Sequence, residues 1–192
     1  MTIKTIVGIS NHHVHLTEEE YFKLFGKRTI TFYKSTNQPG QFAGEEKVSI
    51  KTEQGIIDNL RVMGPFRSYC QIEITKTDAY KLGIEPPVRK SGDVINGAKG
   101  IIVGPIAQVE TNNIIIANRH VHIPKDMSIA NNINDNQLIK AQINNTSKKG
   151  SIDLYTTVAD NFYYEVHLDM DDANAFLLKN EDEIELIYDL QD

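Results

Sequence analysis

The histidines of this chain are concentrated in three short segments. All six fall in Asn11–Leu16, Asn118–Ile123 and Val166–Leu168. The first segment reads Asn-His-His-Val-His-Leu and the second Asn-Arg-His-Val-His-Ile, so a His-Val-His sequence returns between matching neighbours. Self-similarity of this kind is typical of a repeated structural unit. We therefore expect a duplicated β unit.

Each His-Val-His sequence could provide two ligands to one metal ion. In a β-strand, alternate side chains share a face, so His13 and His15 project together, as do His120 and His122, while the apolar residues between them face the core. Zinc binds neutral imidazole nitrogens, and a catalytic zinc site usually has three protein ligands and one open position. Each pair therefore lacks one ligand. A single His-x-His sequence is equally compatible with hydrogen-bonded or surface histidines, whereas two copies favour metal binding.

Two residues in other strands are candidates for the missing ligands. Phe162–Asp169 alternates and isolates His167 on one face, which makes it the natural third ligand for one pair. For the other pair we expect Glu73, because it lies within the predicted strand Gln71–Thr75, where burying an unpaired charge would be costly. The alternative is that Glu73 faces solvent on a half-exposed strand.

Three further residues have a functional and an ordinary interpretation. A guanidinium near metal ions could clamp a phosphate through two parallel hydrogen bonds, and Arg67 is placed for this, although it could equally be a surface charge. Asn174 is a ligand contact or a helix-surface amide. No second cysteine and no His-Asp arrangement accompanies Cys70, so we expect a small buried residue and not a nucleophile.

Short strands dominate the pattern of apolar residues, and helices are brief. The alternating segments are Thr2–Ser10, Gln71–Thr75, Leu138–Ile143, Ile152–Val158 and Phe162–Asp169. Three short helices are predicted. The first begins at the capping box of Thr17 and ends before Gly26, and the other two span Thr77–Leu82 and Asp171–Leu178. Strands of these lengths favour a mainly β fold made of small barrels.

Composition excludes several functional classes. With 26 acidic and 20 basic side chains, a formal net charge of −6 argues against broad binding to nucleic acid or anionic membranes. The single cysteine, Cys70, cannot form an internal disulfide. No apolar run approaches the ~18 residues of a membrane span, and no signal-peptide pattern is present. We expect a cytoplasmic protein.

Seven motifs, taken in chain order, resemble those of the PduL-type phosphotransacylases, which are phosphate propanoyltransferases. They are Asn11–Leu16, Gln38–Ala43, Arg61–Pro65 followed by Arg67, Gln71–Ile74, Pro87–Asp93, Asn118–His122, and His167–Asp169 with Asp172–Ala175. The resemblance spans nearly the whole chain, and seven ordered motifs are far more specific than a His-x-His pair.

This resemblance implies two small β-barrels capped by short helices, related by the internal repeat and packed with a di-zinc site between them. One barrel would comprise residues 2–11 and 118–192, and the other residues 12–117. Transferred motif by motif, the first zinc would be bound by His13, His15 and Glu73, and the second by His120, His122 and His167. The catalytic residue Arg67 would hold phosphate. Coenzyme A (CoA) would contact Gly8, Ile9, Ser10, Gln54, Arg61 and Asn174.

Two positions depart from the family pattern. The family commonly has Arg where this chain has His12, and Lys where it has Gln54 before Gly55. The second departure leaves Arg61 with more of the contact to the CoA phosphates. The expected strand starts at Thr2 without the amphipathic extension of members that enter microcompartments, which again predicts a cytoplasmic enzyme.

The predicted activity is the reversible exchange of short-chain acyl-CoA plus phosphate with acyl phosphate plus CoA, with two zinc ions per chain. The expected partners are these small molecules, with no nucleic acid and no membrane. A homodimer is an open alternative to a monomer. Two alternatives are a di-zinc hydrolase and a non-catalytic, cupin-like module that binds metal or a small molecule. An amidohydrolase barrel is disfavoured, because it needs ~250 residues and long helices.

Overall fold

The computed structural model describes residues 1–189 as a mainly β protein with two compact units. The terminal unit consists of Met1–Ser10 and the chain from Asn118 onward, and the central unit is Asn11–Ala117. Each unit contains a closed six-stranded barrel, which confirms the predicted fold class. No helix in this part of the chain is long and apolar enough to cross a membrane.

The strands and helices follow one another in the order listed here. The strands are β1 (Thr2–Ser10), β2 (His13–His15), β3 (Phe32–Ser35), β4 (Phe42–Lys51), β5 (Ile56–Gly64), β6 (Gln71–Glu73), β7 (Val88–Arg89), β8 (Ala98–Val103), β9 (Gln108–Ala117), β10 (His120–Pro124), β11 (Leu138–Ile143), β12 (Gly150–Ala159), β13 (Glu165–Asp169) and β14 (Glu183–Ile187). The helices are α1 (Glu18–Phe25), α2 (Lys76–Leu82), α3 (Lys125–Asn131) and α4 (Met170–Phe176).

The terminal barrel closes in the order β1, β13, β10, β12, β11, β14. Strand β1 runs parallel to β13, and β10 runs parallel to β12, whereas the other neighbours are antiparallel. Alternation fills its interior with fully buried residues such as Val7, Val121 and Val166. The residues that alternate with them along each strand therefore project from the outer face of the barrel.

The central barrel closes in the order β4, β5, β2, β6, β9, β8, because β8 pairs with both β9 and β4. Strands β3 and β7 extend this sheet from β4 and β9. Val14, Leu60, Val62 and Ile72 are fully buried in its core. The histidines on either side of Val14 consequently lie on the opposite face of β2.

The duplication includes the way in which the chain crosses between the units. Strand β1 belongs to the terminal unit and leads directly into β2 of the central unit, whereas β9 belongs to the central unit and leads into β10 of the terminal unit. In the terminal unit Gly8 lies opposite His167 in parallel register, and in the central unit Ile115 lies opposite Glu73 in the same arrangement. The predicted internal repeat is therefore present as repeated strand pairing.

Helix ends explain where the predicted segments were right and where they were wrong. Thr17 and Thr75 both form capping boxes, and Gly26 and Gly83 end their helices in the left-handed conformation that glycine tolerates. The predicted strand Gln71–Thr75 is too long, since Thr75 already caps α2. Helix α3 was not predicted because it starts after Pro124 without a side-chain cap and buries no residue.

The remaining boundaries differ by a few residues. The strand predicted from Phe162 starts only at Glu165, because the preceding residues form a turn and a loop. The strand predicted over Ile152–Val158 extends over Gly150–Ala159. The helix predicted over Asp171–Leu178 is α4, which starts at Met170 after its N-cap Asp169 and ends at Phe176.

Candidate metal centres

Three of the predicted ligands come together in the central unit. His13 and His15 project from β2, and antiparallel pairing places His13 opposite Glu73 on β6. Their ligand atoms lie within 4.8 Å of one another, and Nε2 of His13 is 3.6 Å from Oε2 of Glu73. We call His13, His15 and Glu73 the central triad.

The other three predicted ligands come together in the terminal unit. His120 and His122 project from β10, and the antiparallel register places His120 opposite His167 on β13. Their ligand atoms also lie within 4.8 Å of one another, and the His120 and His167 rings stack with centroids 5.0 Å apart. We call His120, His122 and His167 the terminal triad.

A backbone carbonyl orients the first histidine of each triad. Nδ1 of His13 lies 2.8 Å from the carbonyl oxygen of Asn11, and Nδ1 of His120 lies 2.8 Å from that of Asn118. A carbonyl oxygen can only accept, so Nδ1 carries the proton in both rings. Nε2 is left with its lone pair, which is how proteins present a metal-binding imidazole. The repeated Asn-x-His spacing therefore prepares one nitrogen in each triad.

His15 is suited to bind a cation and not a proton. It is 3% exposed, and its Nδ1 is buried without a hydrogen-bond partner. Burial, with smaller contributions from His13 and Arg67, holds the pKa of His15 well below its ordinary value. The ring is therefore neutral at neutral pH, which is the protonation state that a metal ligand requires. An unsatisfied imidazole among three ligand atoms fits a divalent metal ion.

Two side chains that the sequence did not identify fix the carboxylate of Glu73. Oε1 of Glu73 accepts hydrogen bonds from Nε2 of Gln71 and from Oγ of Ser91, which is 2.9 Å away. Gln71 is itself held by the backbone N–H of Gly92, which donates to Oε1 of Gln71 at 2.8 Å. With Oε1 occupied, Oε2 is the oxygen that faces His13. Gln71 carried a usable signal, since it is a polar residue at a fully buried strand position.

Arg67 is anchored by its backbone next to the strand of the central triad. Its backbone N–H donates to the carbonyl of Leu16 at 3.0 Å, directly after His15, and its charge contributes to the lowered pKa of His15. Within residues 1–189, no carboxylate forms an ion pair with Arg67. A half-buried cation beside the neutral imidazole of His15 can bind an anionic oxygen group through its planar fork.

The residues expected to contact CoA are distributed over both units. In the central unit, Arg61 lies opposite His13 in register, donates from Nη1 to the carbonyl of Gly44 at 2.6 Å, and covers the Tyr33 ring at 4.4 Å. Gln54 lies beyond the other end of β5, with its side chain over Gly83 at the end of α2. The central unit therefore does not bring Gln54 together with Arg61.

In the terminal unit, the CoA candidates lie around β1 and α4. Gly8 lies opposite His167, and the backbone N–H of Ile9 donates to Oδ1 of Asn180 at 2.7 Å. Ser10 ends β1, and Asn174 is exposed on α4. The amide of Ile9 is thus already occupied by a side chain.

Comparison with known proteins identifies the family. A family model described as phosphate propanoyltransferase matches residues 6–179. A phosphate propanoyltransferase of Thermotoga maritima is 41% identical over 187 residues, which cover 95% of this chain and 88% of that protein. This chain belongs to the phosphate propanoyltransferase family. It is therefore an acyltransferase, and the resemblance found in the sequence is confirmed.

Two further members of the phosphate propanoyltransferase family match at similar coverage. The protein of Limosilactobacillus reuteri is 35% identical over 172 residues, covering 88% of this chain and 80% of its own length. That of Salmonella typhimurium is 35% identical over 173 residues, covering 88% and 81%. The span of the family model, residues 6–179, includes parts of both units.

The terminal triad has a carboxylate neighbour that the sequence did not identify. Glu165 is 4% exposed and lies opposite His122 in register, and its Oε2 is 3.3 Å from Nε2 of His167. The carboxyl group fits against the Cα of Gly8, where an added Cβ would lie 2.6 Å from the carboxyl carbon. Glu165 can thus orient His167, and Gly8 provides the space for it.

Replacing Glu165 should loosen metal binding. We expect Glu165→Gln to weaken the affinity of the terminal triad for zinc by roughly ten- to a hundredfold, the usual effect of removing a carboxylate that orients a metal-binding histidine. Gly8→Ala should act in the same direction, because the added methyl group displaces the carboxylate. Chelator competition with the metal-loaded protein measures both.

The matched control for this prediction is Glu183→Gln, which removes an exposed carboxylate of the same unit from its ion pair with Lys4. It should retain zinc as the parent protein does. Unchanged zinc affinity in Glu165→Gln would show that this carboxylate does not orient the ligand.

Proposed function

We propose that this acyltransferase interconverts a short-chain acyl-CoA plus phosphate with the acyl phosphate plus CoA, with one zinc ion in each triad. The observation that carries the proposal is that the charge of Arg67, which forms no ion pair within residues 1–189, acts on the buried imidazole of His15, whose Nδ1 has no hydrogen-bond partner. A cation and a metal-binding triad at one place suit a phosphate group. Family membership supports the acyl transfer itself.

Zinc is the metal that the ligand sets favour. Five of the six ligands are imidazoles, which suit Zn²⁺ better than Mg²⁺ or Ca²⁺, because those ions prefer oxygen ligands. When bound, zinc would supply positive charge that holds phosphate oxygens and neutralises them. The residues of the chain supply the rest: the Asn11 and Asn118 carbonyls orient imidazoles, and Gln71 with Ser91 presents the carboxylate of Glu73.

The reaction needs no covalent bond to the protein. In one direction a phosphate oxygen attacks the thioester carbonyl, the carbon–sulfur bond breaks and CoA leaves. In the other direction the CoA sulfur attacks the acyl carbonyl carbon of the acyl phosphate, the carbon–oxygen bond to phosphate breaks and phosphate leaves. Binding both substrates together makes either step effectively unimolecular. Arg67 would hold the phosphate bidentately during both, since a guanidinium fork matches two phosphate oxygens.

The proposed CoA contacts rest on the family motifs. In the terminal unit these contacts would come from the backbone of Gly8, Ile9 and Ser10 and from Asn174. In the central unit they would come from Arg61 and from Gln54, each separately, because this unit does not bring the two together. The aromatic support of Arg61 by Tyr33 favours its role, because it keeps the guanidinium in a defined position for an anionic group. The side chain of Gln54 is neutral and contributes at most hydrogen bonds.

A di-zinc hydrolase is the competing activity, because a metal ion also suits hydrolysis. The two activities differ in their dependence on CoA. A transferase forms acyl-CoA from acetyl phosphate only when CoA is present, whereas a hydrolase releases phosphate without it. A cupin-like binding module would do neither.

Arg67→Lys tests the proposed phosphate contact. Lysine keeps the charge but loses the planar fork, so we expect turnover to fall at least tenfold while the protein retains its zinc. The assay is acetyl-CoA formation from acetyl phosphate and CoA, with metal content measured on the same samples. Arg28→Lys, which alters an exposed ion pair with Glu18, is the control and should leave turnover unchanged. Parental kinetics in Arg67→Lys would overturn this role.

The buried thiol allows a test of the mechanism without an acyl-enzyme. Cys70 is 3% exposed and part of the central core, and burial raises its pKa to about 12. Cys70 directly precedes β6 and is not part of it. The thiol nevertheless lies in the core, where thiolate is not available at neutral pH.

We expect Cys70→Ala to retain most of the activity, and steady-state kinetics to be sequential, with both substrates bound before either product leaves. Varying acetyl phosphate and CoA together gives intersecting double-reciprocal plots in that case. Parallel plots with an acyl group trapped on Cys70 would show a ping-pong mechanism and contradict the proposal.

A further inference from the structure

The residue that precedes the first histidine of the central triad is tied to a helix. Nδ1 of His12 lies 3.0 Å from Oδ2 of Asp78. Asp78 is the third residue of α2, 5% exposed, and its side chain also completes the capping box with Thr75. His12, where the family commonly has Arg, therefore makes its contact within the protein.

The terminal unit makes the same contact with a different residue. Arg119 precedes His120 and forms a bidentate pair with Asp172, with Nε 2.8 Å from Oδ2 and Nη2 2.7 Å from Oδ1. Asp172 is the third residue of α4, and its backbone N–H donates to Oδ1 of the N-cap Asp169 at 2.8 Å. Both acids therefore occupy equivalent helix positions.

These two contacts occupy equivalent places in the repeat. His12 and Arg119 each lie immediately before the His-x-His strand of their unit. Asp78 and Asp172 are each the fifth residue after the third ligand. The N-cap of the helix follows the third ligand by two positions, at Thr75 in one unit and Asp169 in the other. The position of each helix start is therefore fixed relative to the third ligand that precedes it.

The strands that carry the ligands need such a contact because their pairing is short. The register of β2 with β6 covers three residue pairs, and that of β10 with β13 also covers three. A third ligand that shifts relative to the histidine pair changes the size of the triad. In each unit, the contact links the residue before the His-x-His strand to the helix that follows the strand of the third ligand. It therefore connects these two strands at a second point.

We propose that His12–Asp78 and Arg119–Asp172 are matched braces, in which His12 and Arg119 act as positioning residues for the metal-binding triad of their own unit. The proposal rests on metal binding by the triads, as stated in the proposed function. Each brace sets the separation between the His-x-His pair and the third ligand. Loss of one brace weakens one metal site and leaves the other unchanged.

Partial exposure separates this role from a general contribution to stability. The side chains of Arg119 and Asp172 are 44% and 16% exposed, and ion pairs with an exposed partner usually add little to the free energy of unfolding. Breaking the Arg119–Asp172 brace should therefore change metal affinity more than thermal stability. A merely structural contact would change both or neither.

The experiment uses the full chain with one triad removed, so that a single metal ion reports on the other. In a His13→Ala/His15→Ala background, we expect Arg119→Ala to weaken Co²⁺ binding about tenfold in chelator competition and to change its visible absorption spectrum. The estimate is the lower end of the effect of losing a supporting contact. His12→Ala in the same background should change neither. In a His120→Ala/His122→Ala background the roles are reversed.

Conservative variants and controls decide between positioning and folding. His12→Arg should retain the Co²⁺ affinity that His12→Ala loses, since Arg can reach Asp78 as Arg119 reaches Asp172. Lys23→Ala in the central unit and Lys4→Ala in the terminal unit remove exposed ion pairs with Glu19 and Glu183 and should leave the affinity unchanged. Thermal melts of the apoproteins identify any variant that does not fold.

The outcomes separate this proposal from the proposed function. Equal Co²⁺ affinity with and without the braces would overturn the brace proposal while leaving the metal sites intact. If one variant weakens both sites, or if the melt of Arg119→Ala shifts in step with its Co²⁺ affinity, the contacts are structural and the proposal is wrong. No Co²⁺ binding to the unaltered chain would instead refute the metal-binding function itself.

Discussion

The antiparallel pairing between each His-x-His strand and the strand of the third ligand is the constraint on which the site depends. It places His13 opposite Glu73 and His120 opposite His167. A shift of one residue in either pairing would move the third ligand to the opposite face of its strand. The register therefore determines whether three ligands meet, and the barrels supply the buried apolar residues that fix it.

The two triads are equivalent in construction and different in chemistry. Both have a carbonyl that orients the first imidazole and a third ligand followed by a capped helix. The central triad has a carboxylate, fixed by Gln71 and Ser91, with Arg67 beside it. The terminal triad has a third imidazole with Glu165 beside it. The cationic neighbour Arg67 thus belongs to the central triad and the anionic neighbour Glu165 to the terminal triad.

Much of this arrangement could be predicted from local sequence patterns. Alternation identified the His-x-His pairs, burial cost identified Glu73, and the Thr17 capping box located α1. These signals act over a few residues, where strand and helix geometry are fixed. Ser91 and Glu165 could not be found this way, because their roles depend on which strands and loops become neighbours. Helix α3 could not be predicted either, because it has no side-chain N-cap that would mark its start in the sequence.

The central claim is that each triad binds one metal ion that acyl transfer requires. Metal analysis of protein purified without chelator tests it directly, on the parent chain, on His13→Ala/His15→Ala and on His120→Ala/His122→Ala. The account predicts close to two zinc ions per parent chain, about one in each double variant, and loss of acetyl-CoA formation in both. A parent protein that forms acetyl-CoA at full rate with a metal content near zero would contradict it.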